Sequence, residues 1–265
     1  MYDTVDFDCE SSPMAERSRP GAGKTKAGAD VDEASADDLV LRPSGLNAPE
    51  QAAFQRLVSA IGERRLLPGI RLIEEDLATT FGVSRERIRR ILLVMSQYDI
   101  VRLEPNRGAY VARPTIRECR DAFDGRRLIE RHVVATLAAL GPARRRMVVS
   151  HLRRHAEAEA EAIRAGDRLA QVRLSGEFHL KMAVYAGNRR LLRMLQELVA
   201  QLALALSAHA FRHELDCSIG EHAALTDAIN AGDAATADRL LREHLDHLEV
   251  ALTDDLDADD PLGQL

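Results

Sequence analysis

The stretch that decides the fold runs from residue 81 to residue 90 and reads Phe81-Gly82-Val83-Ser84-Arg85-Glu86-Arg87-Ile88-Arg89-Arg90. It ends one apolar helical pattern and begins another, and Gly82 supplies the backbone freedom that a sharp turn between two helices requires. Ser84 is a suitable N-cap for the second helix, and a β-hairpin is predicted between Val101 and Val111. Helix, turn, capped basic helix and hairpin, in this order, outline a winged helix-turn-helix.

The charged side chains of this unit predict contact with duplex DNA. Arg85 and Arg89 lie one turn apart near the start of the second helix, where the helix dipole favours phosphate and an arginine fork can bind the O6/N7 edge of guanine. Arg107 and Gly108 occupy the hairpin tip, where a backbone or an arginine can approach a groove closely. The alternative is an ordinary pair of amphipathic helices with a solvated arginine face. The ordered combination of elements favours DNA.

The segments 67–78, 81–85 and 105–111 closely resemble the N-terminal domain of GntR-family bacterial transcription regulators. The resemblance implies that Ser84, Arg85 and Arg89 are recognition-helix contacts to a double-stranded operator and that Gly108 is the wing contact.

Four residues depart from the family pattern. Glu75 stands where many relatives have an arginine that touches DNA, Arg87 replaces a frequent proline, Arg90 a frequent glutamate and Asp99 a glycine. Glu75 and Arg90 alter the charge presented to the groove, so we expect an operator different from the usual one, with Arg90 among the DNA contacts.

Charge and composition set the wider limits. The 265-residue chain has a net charge of −6, yet residues 49 to 114 carry eleven basic and eight acidic groups and form the only clearly positive segment. No apolar run is long enough to span a membrane, and the acidic N-terminus does not resemble a signal peptide, so we expect a cytoplasmic protein. Three widely separated cysteines fit reduced, incidental thiols.

The chain divides into four predicted regions. We expect a disordered N-terminal extension (1–48), the winged helix-turn-helix (49–114), a helical effector-binding and dimerisation domain (115–252) and an acidic flexible tail (253–265). The fold class is mainly α, because residues beyond 114 form helical windows of Ala, Leu, Arg and Glu separated by glycines, which is typical of an antiparallel all-helical bundle. Six helices are predicted there, at 116–140, 142–165, 167–186, 188–212, 216–231 and 233–252. The predicted C-terminal glycine caps are Gly141, Gly166, Gly187 and Gly232, and the predicted N-caps are Asp167, Asn188 and Asp233.

Three histidines in the bundle are candidate metal ligands. His222 and His244 lie on apolar stripes, so both should point inward, and His179 joins them from a third helix. Inward imidazoles from three helices could converge on one cation. Three unrelated core histidines, each hydrogen-bonded to a neighbour, are the alternative.

Residues 116 to 250 resemble the FCD ligand-binding domain of the FadR subgroup of the GntR family, through the phrases Phe178-His179, 187–192, Glu221-His222, 231–233 and His244-Leu245. In metal-binding relatives an aspartate one turn before the first histidine completes the site, and Ser175 occupies that position here. Serine is a poor donor, so three histidines with water or an effector carboxylate would hold the ion, Zn²⁺ or Ni²⁺ if one binds.

Arg126 and Glu130 match the family's Arg-x-x-x-Glu pattern on the first bundle helix. By that resemblance Arg126 clamps the carboxylate of an effector, with Glu130, Ser175 and the three histidines around it. A simple i, i+4 ion pair on a helix surface is the alternative.

Together these features predict a homodimeric, ligand-responsive, sequence-specific regulator of transcription, a repressor released by a small carboxylate. Two other classes stay open. A three-histidine metalloenzyme tethered to DNA would use Glu177 or Glu130 as general acid or base. An effector-independent DNA-binding protein would show no ligand-dependent rise in melting temperature.

Overall fold

The computed structural model describes residues 41 to 208 and 217 to 259, together with Leu39. Residues 1 to 38, 40, 209 to 216 and 260 to 265 lie outside this description, and so do most of the predicted N-terminal extension and the end of the predicted tail. Among the described residues, no helix has the length and apolar character needed to cross a bilayer.

The first part of the described chain, residues 41 to 112, is named the reading head. Its elements are α1 (Ala48–Gly62), β1 (Arg71–Leu72), α2 (Glu74–Phe81), α3 (Arg85–Gln97), β2 (Val101–Glu104) and β3 (Gly108–Val111). The strands form one antiparallel sheet in the order β1-β3-β2. The winged helix-turn-helix is therefore confirmed. The sheet also contains β1, which was not predicted because its two residues are too few to leave a pattern in the sequence.

Local signals fix the boundaries of these elements. Asn47 caps α1 through a reciprocal capping box with Glu50. Gly82 ends α2 in the left-handed conformation at φ 66°, which lets the chain turn directly into α3. Asp99 takes the same kind of conformation at φ 54° after α3, in the place where the family has glycine.

The core of the reading head is apolar and closely packed. Phe54 and Leu57 of α1 meet Ile88, Ile91 and Met95 of α3, and all five are fully buried. Leu41 also packs into this core, and its carbonyl accepts a hydrogen bond from the side chain of Gln55 at 2.5 Å. The predicted extension thus becomes ordered before residue 48, because burial of Leu41 offsets the entropy of fixing the backbone.

The bundle consists of α4 (Ile116–Ala138), α5 (Pro142–Arg164), α6 (Arg168–Ala186), α7 (Arg189–Ala208), α8 (Cys217–Ala231) and α9 (Ala234–Asp259). Helix α4 packs against α6, α7, α8 and α9, while α5 packs against α6 and α8. Each of the six helices corresponds to one predicted from the glycine-separated pattern.

Two expectations about helix ends are corrected. Gly141 is not a left-handed cap but the N-cap of α5, with φ −58°, because Pro142 immediately begins the next helix. Helix α9 continues to Asp259 instead of ending at Leu252, since no glycine or proline interrupts the chain before Pro261. The first residues of the predicted flexible tail are therefore helical.

Helix α7 belongs to both halves of the structure. It packs against α4 and α6 of the bundle. Near its C-terminal end, Leu204 is buried in the core of the reading head, with Ala200 packed against the same cluster. The reading head is thus joined to the bundle by shared apolar packing as well as by the covalent chain.

Candidate functional site

The recognition helix α3 presents its predicted DNA contacts to solvent. Ser84 caps the helix, and its hydroxyl accepts a hydrogen bond from the backbone N–H of Arg87 at 3.4 Å. The apolar face, including Ile88, is buried against the reading head. The side chains of Arg85 and Arg89 are 61% and 70% exposed, so a duplex can reach both guanidinium groups.

Both arginines lie beside Glu74, the first residue of α2. Arg89 donates from Nε to Oε1 at 3.1 Å and from Nη2 to Oε2 at 2.9 Å. Arg85 lies farther away, with Nη2 3.9 Å from the same Oε2. The hydrogen bonds from Arg89 lower the pKa of the Glu74 carboxyl, despite the opposing effect of partial burial. Sequence analysis missed Glu74 because helical periodicity does not relate it to Arg89 on the next helix.

The structure places Arg90 against a buried carboxylate. Its Nη1 lies 3.3 Å from Oε1 of Glu50, which is fully buried in the capping box of α1. Arg90 therefore ties α3 to the start of α1 by neutralising a charge that burial would otherwise make costly. A contact between Arg90 and DNA remains a prediction.

The wing brings Arg107 and Gly108 to its tip. The backbone N–H of Arg107 donates to the carbonyl of Glu104 at 3.1 Å, and the Arg107 side chain is exposed. Gly108 has φ 101°, a conformation that a side chain would strain. A Cβ at Gly108 would lie 3.6 Å from Nε of Arg71, an ordinary contact distance, so a second arginine lies beside the wing. Sequence analysis did not single out Arg71.

In the bundle, the three predicted histidines meet in one buried cluster. They come from α6 (His179), α8 (His222) and α9 (His244). Nε2 of His244 is 3.1 Å from Nε2 of His179 and 3.2 Å from Nε2 of His222. Phe178 stacks on the His222 ring, with centroids 4.0 Å apart, and restricts its orientation. The alternative of three unrelated core histidines is wrong, because they share one site.

Each imidazole has a carboxylate behind it. Nδ1 of His179 lies 2.5 Å from Glu130, Nδ1 of His222 2.8 Å from Glu159, and Nδ1 of His244 2.7 Å from Glu221. A carboxylate only accepts hydrogen bonds, so Nδ1 must carry the hydrogen in all three neutral rings. The three Nε2 atoms then turn their lone pairs toward one another. Carboxylate behind histidine is the usual support for a histidine that ligates a metal.

The electrostatics of the cluster favour neutral rings. Burial lowers the pKa of His244 to about 4 and that of His179 well below its usual range. Burial alone would raise the pKa of Glu130, but the nearby Arg126 and His179 hold it at about 2. At neutral pH the rings of His179 and His244 are therefore lone-pair donors, the form that binds a metal.

Arg126 is buried at the edge of the same cluster. Its Nε donates to Oε1 of Glu130 at 2.7 Å, and the other oxygen of Glu130 faces His179. The side chains of Arg126 and Glu130 are 5% and 0% exposed, so the pair is not the surface ion pair considered above. Nη2 of Arg126 is buried and has no hydrogen-bond partner in the described part of the chain. A buried, unsatisfied guanidinium nitrogen is a ready donor to an anion.

The remaining predicted residues lie around this site. Ser175 is half-buried on α6, one turn before His179. Glu177 is paired on the bundle surface with Arg173 at 2.9 Å, which does not place it among the histidines. Sequence analysis missed Glu159 and Glu221 as imidazole partners. Glu221 precedes His222 but supports His244, and nothing in the spacing of Glu159 reveals a partner on another helix.

Comparison with known protein families matches both halves of the chain. Residues 49–111 match the family described as "Bacterial regulatory proteins, gntR family", and residues 121–247 match the FCD domain. The first match covers the reading head from α1 to the wing, and the second contains Arg126 and all three histidines.

Individual proteins are similar over most of their length. The uncharacterised helix-turn-helix transcriptional regulator BphR of Paraburkholderia xenovorans is 26% identical over 219 residues, which is 81% of this chain and 89% of BphR. A putative GntR transcriptional regulator from Rhodococcus has the same fold, with a TM-score of 0.69 at 21% identity over 78% of this chain and 99% of its own. Escherichia coli McbR/YncC gives a TM-score of 0.68 at 20% identity over 79% and 99%.

The buried ion pair generates a stability prediction. Replacing Arg126 by Met leaves the Glu130 carboxylate buried without its cation, and we expect the free energy of unfolding to fall by about 3–5 kcal/mol. The matched control is Arg173→Met, which breaks another Arg–Glu i, i+4 pair but an exposed one, and should cost about 0.5 kcal/mol or less. Urea denaturation of both variants measures the free energies of unfolding. Equal losses of stability would contradict the burial of the Arg126–Glu130 pair.

Proposed function

The chain belongs to the gntR family of bacterial regulatory proteins, and we propose that this DNA-binding transcription regulator releases its operator when a small carboxylate binds beside a metal ion at the three histidines. The observation that carries the proposal is the convergence of three Nε2 lone pairs next to the unsatisfied Nη2 of Arg126.

The residues present fit a divalent ion. At metal–nitrogen distances of about 2.0–2.1 Å, two imidazole nitrogens on one ion lie roughly 3 Å apart, close to the separations found among the Nε2 atoms. Lone pairs on two neutral imidazole nitrogens at that spacing repel each other unless a cation lies between the nitrogens. We infer that His179, His222 and His244 hold Zn²⁺ or Ni²⁺, which would supply a Lewis-acidic position for a carboxylate oxygen.

The ligand chemistry follows from the groups beside the histidines. Arg126 offers Nη2 as a donor, and Ser175 offers only a neutral hydroxyl where metal-binding relatives have an anionic ligand. A site with a cationic donor and a missing anionic ligand is completed by an effector that brings its own negative charge. A small carboxylate meets that requirement.

Helix α7 provides a route from this site to the DNA. A Cβ on Gly125, the neighbour of Arg126, would lie 2.9 Å from Cδ1 of Leu198 on α7. A Cβ on Gly176, the neighbour of Ser175, would lie 2.9 Å from Cγ1 of Val199. The helices α4 and α6, which line the site, thus pack closely against α7, whose Leu204 is part of the reading-head core. A cavity of about 790 Å³ between α1 and the pair α6 and α7 leaves room for relative movement.

We further propose that the protein acts as a homodimer, since two reading heads on a twofold axis double the contact set and fix half-site spacing.

The structure offers little support for catalysis. Glu130 is held between Arg126 and His179, and Glu177 is paired with Arg173, so both candidate acids or bases are already engaged.

The DNA-binding role is tested at the recognition helix. Arg85→Ala/Arg89→Ala should lose at least about tenfold in affinity for a genomic fragment selected by the parent, and the salt dependence should weaken because fewer phosphates are neutralised. Fluorescence anisotropy at several salt concentrations measures both. Arg144→Ala/Arg146→Ala removes equal charge from the exposed start of α5 and should bind as the parent does. Equal selectivity in all three proteins would refute the proposal.

Metal binding is tested by melting curves and native mass spectrometry with ZnCl₂ or NiCl₂ alone. The parent should retain one ion per chain and melt at a higher temperature, because the ion binds only the folded site. His222→Ala should lose this shift, and Glu159→Gln should bind about 10- to 100-fold more weakly, since the ring loses its orienting acceptor. His132→Ala, an exposed histidine of α4, is the control. An unchanged shift in His222→Ala would contradict the assignment.

Effector response is tested with a panel of two- to six-carbon mono- and dicarboxylates on zinc-loaded protein. An active carboxylate should raise the melting temperature of the free protein and weaken its DNA binding by about 5- to 150-fold. Arg126→Lys keeps the positive charge beside Glu130 but lacks the paired donors of a guanidinium. This variant should bind DNA normally and respond only weakly to the carboxylate. A protein that responds to neutral sugars or amines instead would contradict the carboxylate class.

A further inference from the structure

One half-buried carboxylate, that of Glu74, forms a bidentate pair with one recognition arginine. Glu74 and Arg89 form two parallel hydrogen bonds, of 3.1 and 2.9 Å, between the first residue of α2 and the middle of α3. Side-chain exposure is 27% for Glu74 and 70% for Arg89, so the carboxylate is packed between the helices while the guanidinium reaches into solvent. A bidentate pair fixes the plane of the guanidinium, which a single contact does not.

The two hydrogen bonds engage only one edge of the guanidinium. They use the Nε hydrogen and one hydrogen of Nη2. Arg89 has five donor hydrogens, so the opposite edge keeps both hydrogens of Nη1 and the second of Nη2. That free edge is the parallel pair of donors that matches O6 and N7 of guanine in the major groove.

Arg85 has a different environment. It approaches Glu74 only to 3.9 Å and Glu75 only to 4.0 Å, and no bidentate contact fixes its plane. Two arginines one turn apart on the same helix are therefore unequal. Arg89 is oriented before DNA arrives, whereas Arg85 keeps its rotamer freedom and is suited to a phosphate, which accepts hydrogen bonds from many directions.

Resting on the proposed DNA-binding function, we propose that Glu74 is a specificity-determining positioning residue, which holds the guanidinium of Arg89 so that its free edge reads one guanine in each operator half-site. Glu74 does not itself touch the base. Its carboxylate also repels phosphate, so it reduces non-specific binding while it sharpens base recognition.

The experiment compares the parent with Glu74→Gln, Arg89→Ala and the double variant, each as the full chain, by selection from a random-sequence duplex library. A glutamine side chain offers one acceptor oxygen and an NH₂ group, so it cannot form the bidentate pair. We expect Arg89→Ala and Glu74→Gln to lose preference for guanine at the same base pair, by about tenfold. Glu74→Gln should bind a random duplex as tightly as the parent or more tightly, and the double variant should discriminate no less than Arg89→Ala alone.

Asp76→Asn is the matched control. It removes the same charge from the same helix two residues away, at an exposed position. It should retain the preference of the parent for guanine. Melting temperatures report on folding, which a positioning role leaves unchanged.

Four outcomes would overturn the inference. If Glu74→Gln keeps the guanine preference that Arg89→Ala loses, Glu74 does not position Arg89. If Glu74→Gln binds the selected duplex more tightly with unchanged preferences, Glu74 is only a competitor for the arginine. If it loses all preferences evenly and melts earlier, its role is structural. If Arg89→Ala itself selects the sequence of the parent, the proposed function of Arg89 fails as well, and this result distinguishes the two failures.

Discussion

The bundle site depends on where three histidine rings carry their hydrogen atoms, which neighbouring carboxylates decide. Three carboxylates face three Nδ1 atoms: Glu130 and Glu159 are buried, and Glu221 is half-buried. A carboxylate in that position forces the hydrogen onto Nδ1. The Nε2 atoms then face inward, where that of His244 lies 3.1 Å from that of His179 and 3.2 Å from that of His222. Packing of Phe178 and the helices around the site holds the rings in place. A cation at the point where the three rings converge would relieve the repulsion between their lone pairs, which is the physical basis of the proposed metal site.

The same site explains why Arg126 tolerates burial. A buried guanidinium is costly without compensation, and Glu130 supplies it through one oxygen while its other oxygen orients His179. Among the described residues Nη2 has no hydrogen-bond partner, so part of the hydrogen-bonding capacity of the arginine is unmet. The proposed carboxylate would gain affinity by satisfying this donor, which is already desolvated, so little further desolvation would oppose its binding.

The sequence predicted the architecture well, because helix boundaries here follow local chemistry. Asp167, Asn188 and Asp233 each cap a helix as expected, since a capping side chain needs only the next few residues. It also predicted from their apolar stripes that His222 and His244 point inward, and that His179 joins them from a third helix. It did not identify Glu159 or Glu74, whose partners lie 63 and 15 residues away on other helices. Helical periodicity describes which face a residue occupies, but only packing decides what that face meets.

The bundle site and the reading head share one arrangement. In each, a carboxylate forms a hydrogen bond with one side of a nitrogen-containing group, Glu130 with His179 and Glu74 with Arg89, and another side faces the proposed ligand. The group loses its rotational freedom during folding, so that cost is not incurred again on binding. The two sites differ in solvent exposure, because the histidine is buried and the arginine is not. Electrostatic attraction is therefore strong at the bundle site and screened at the reading head, where geometry must supply most of the selectivity.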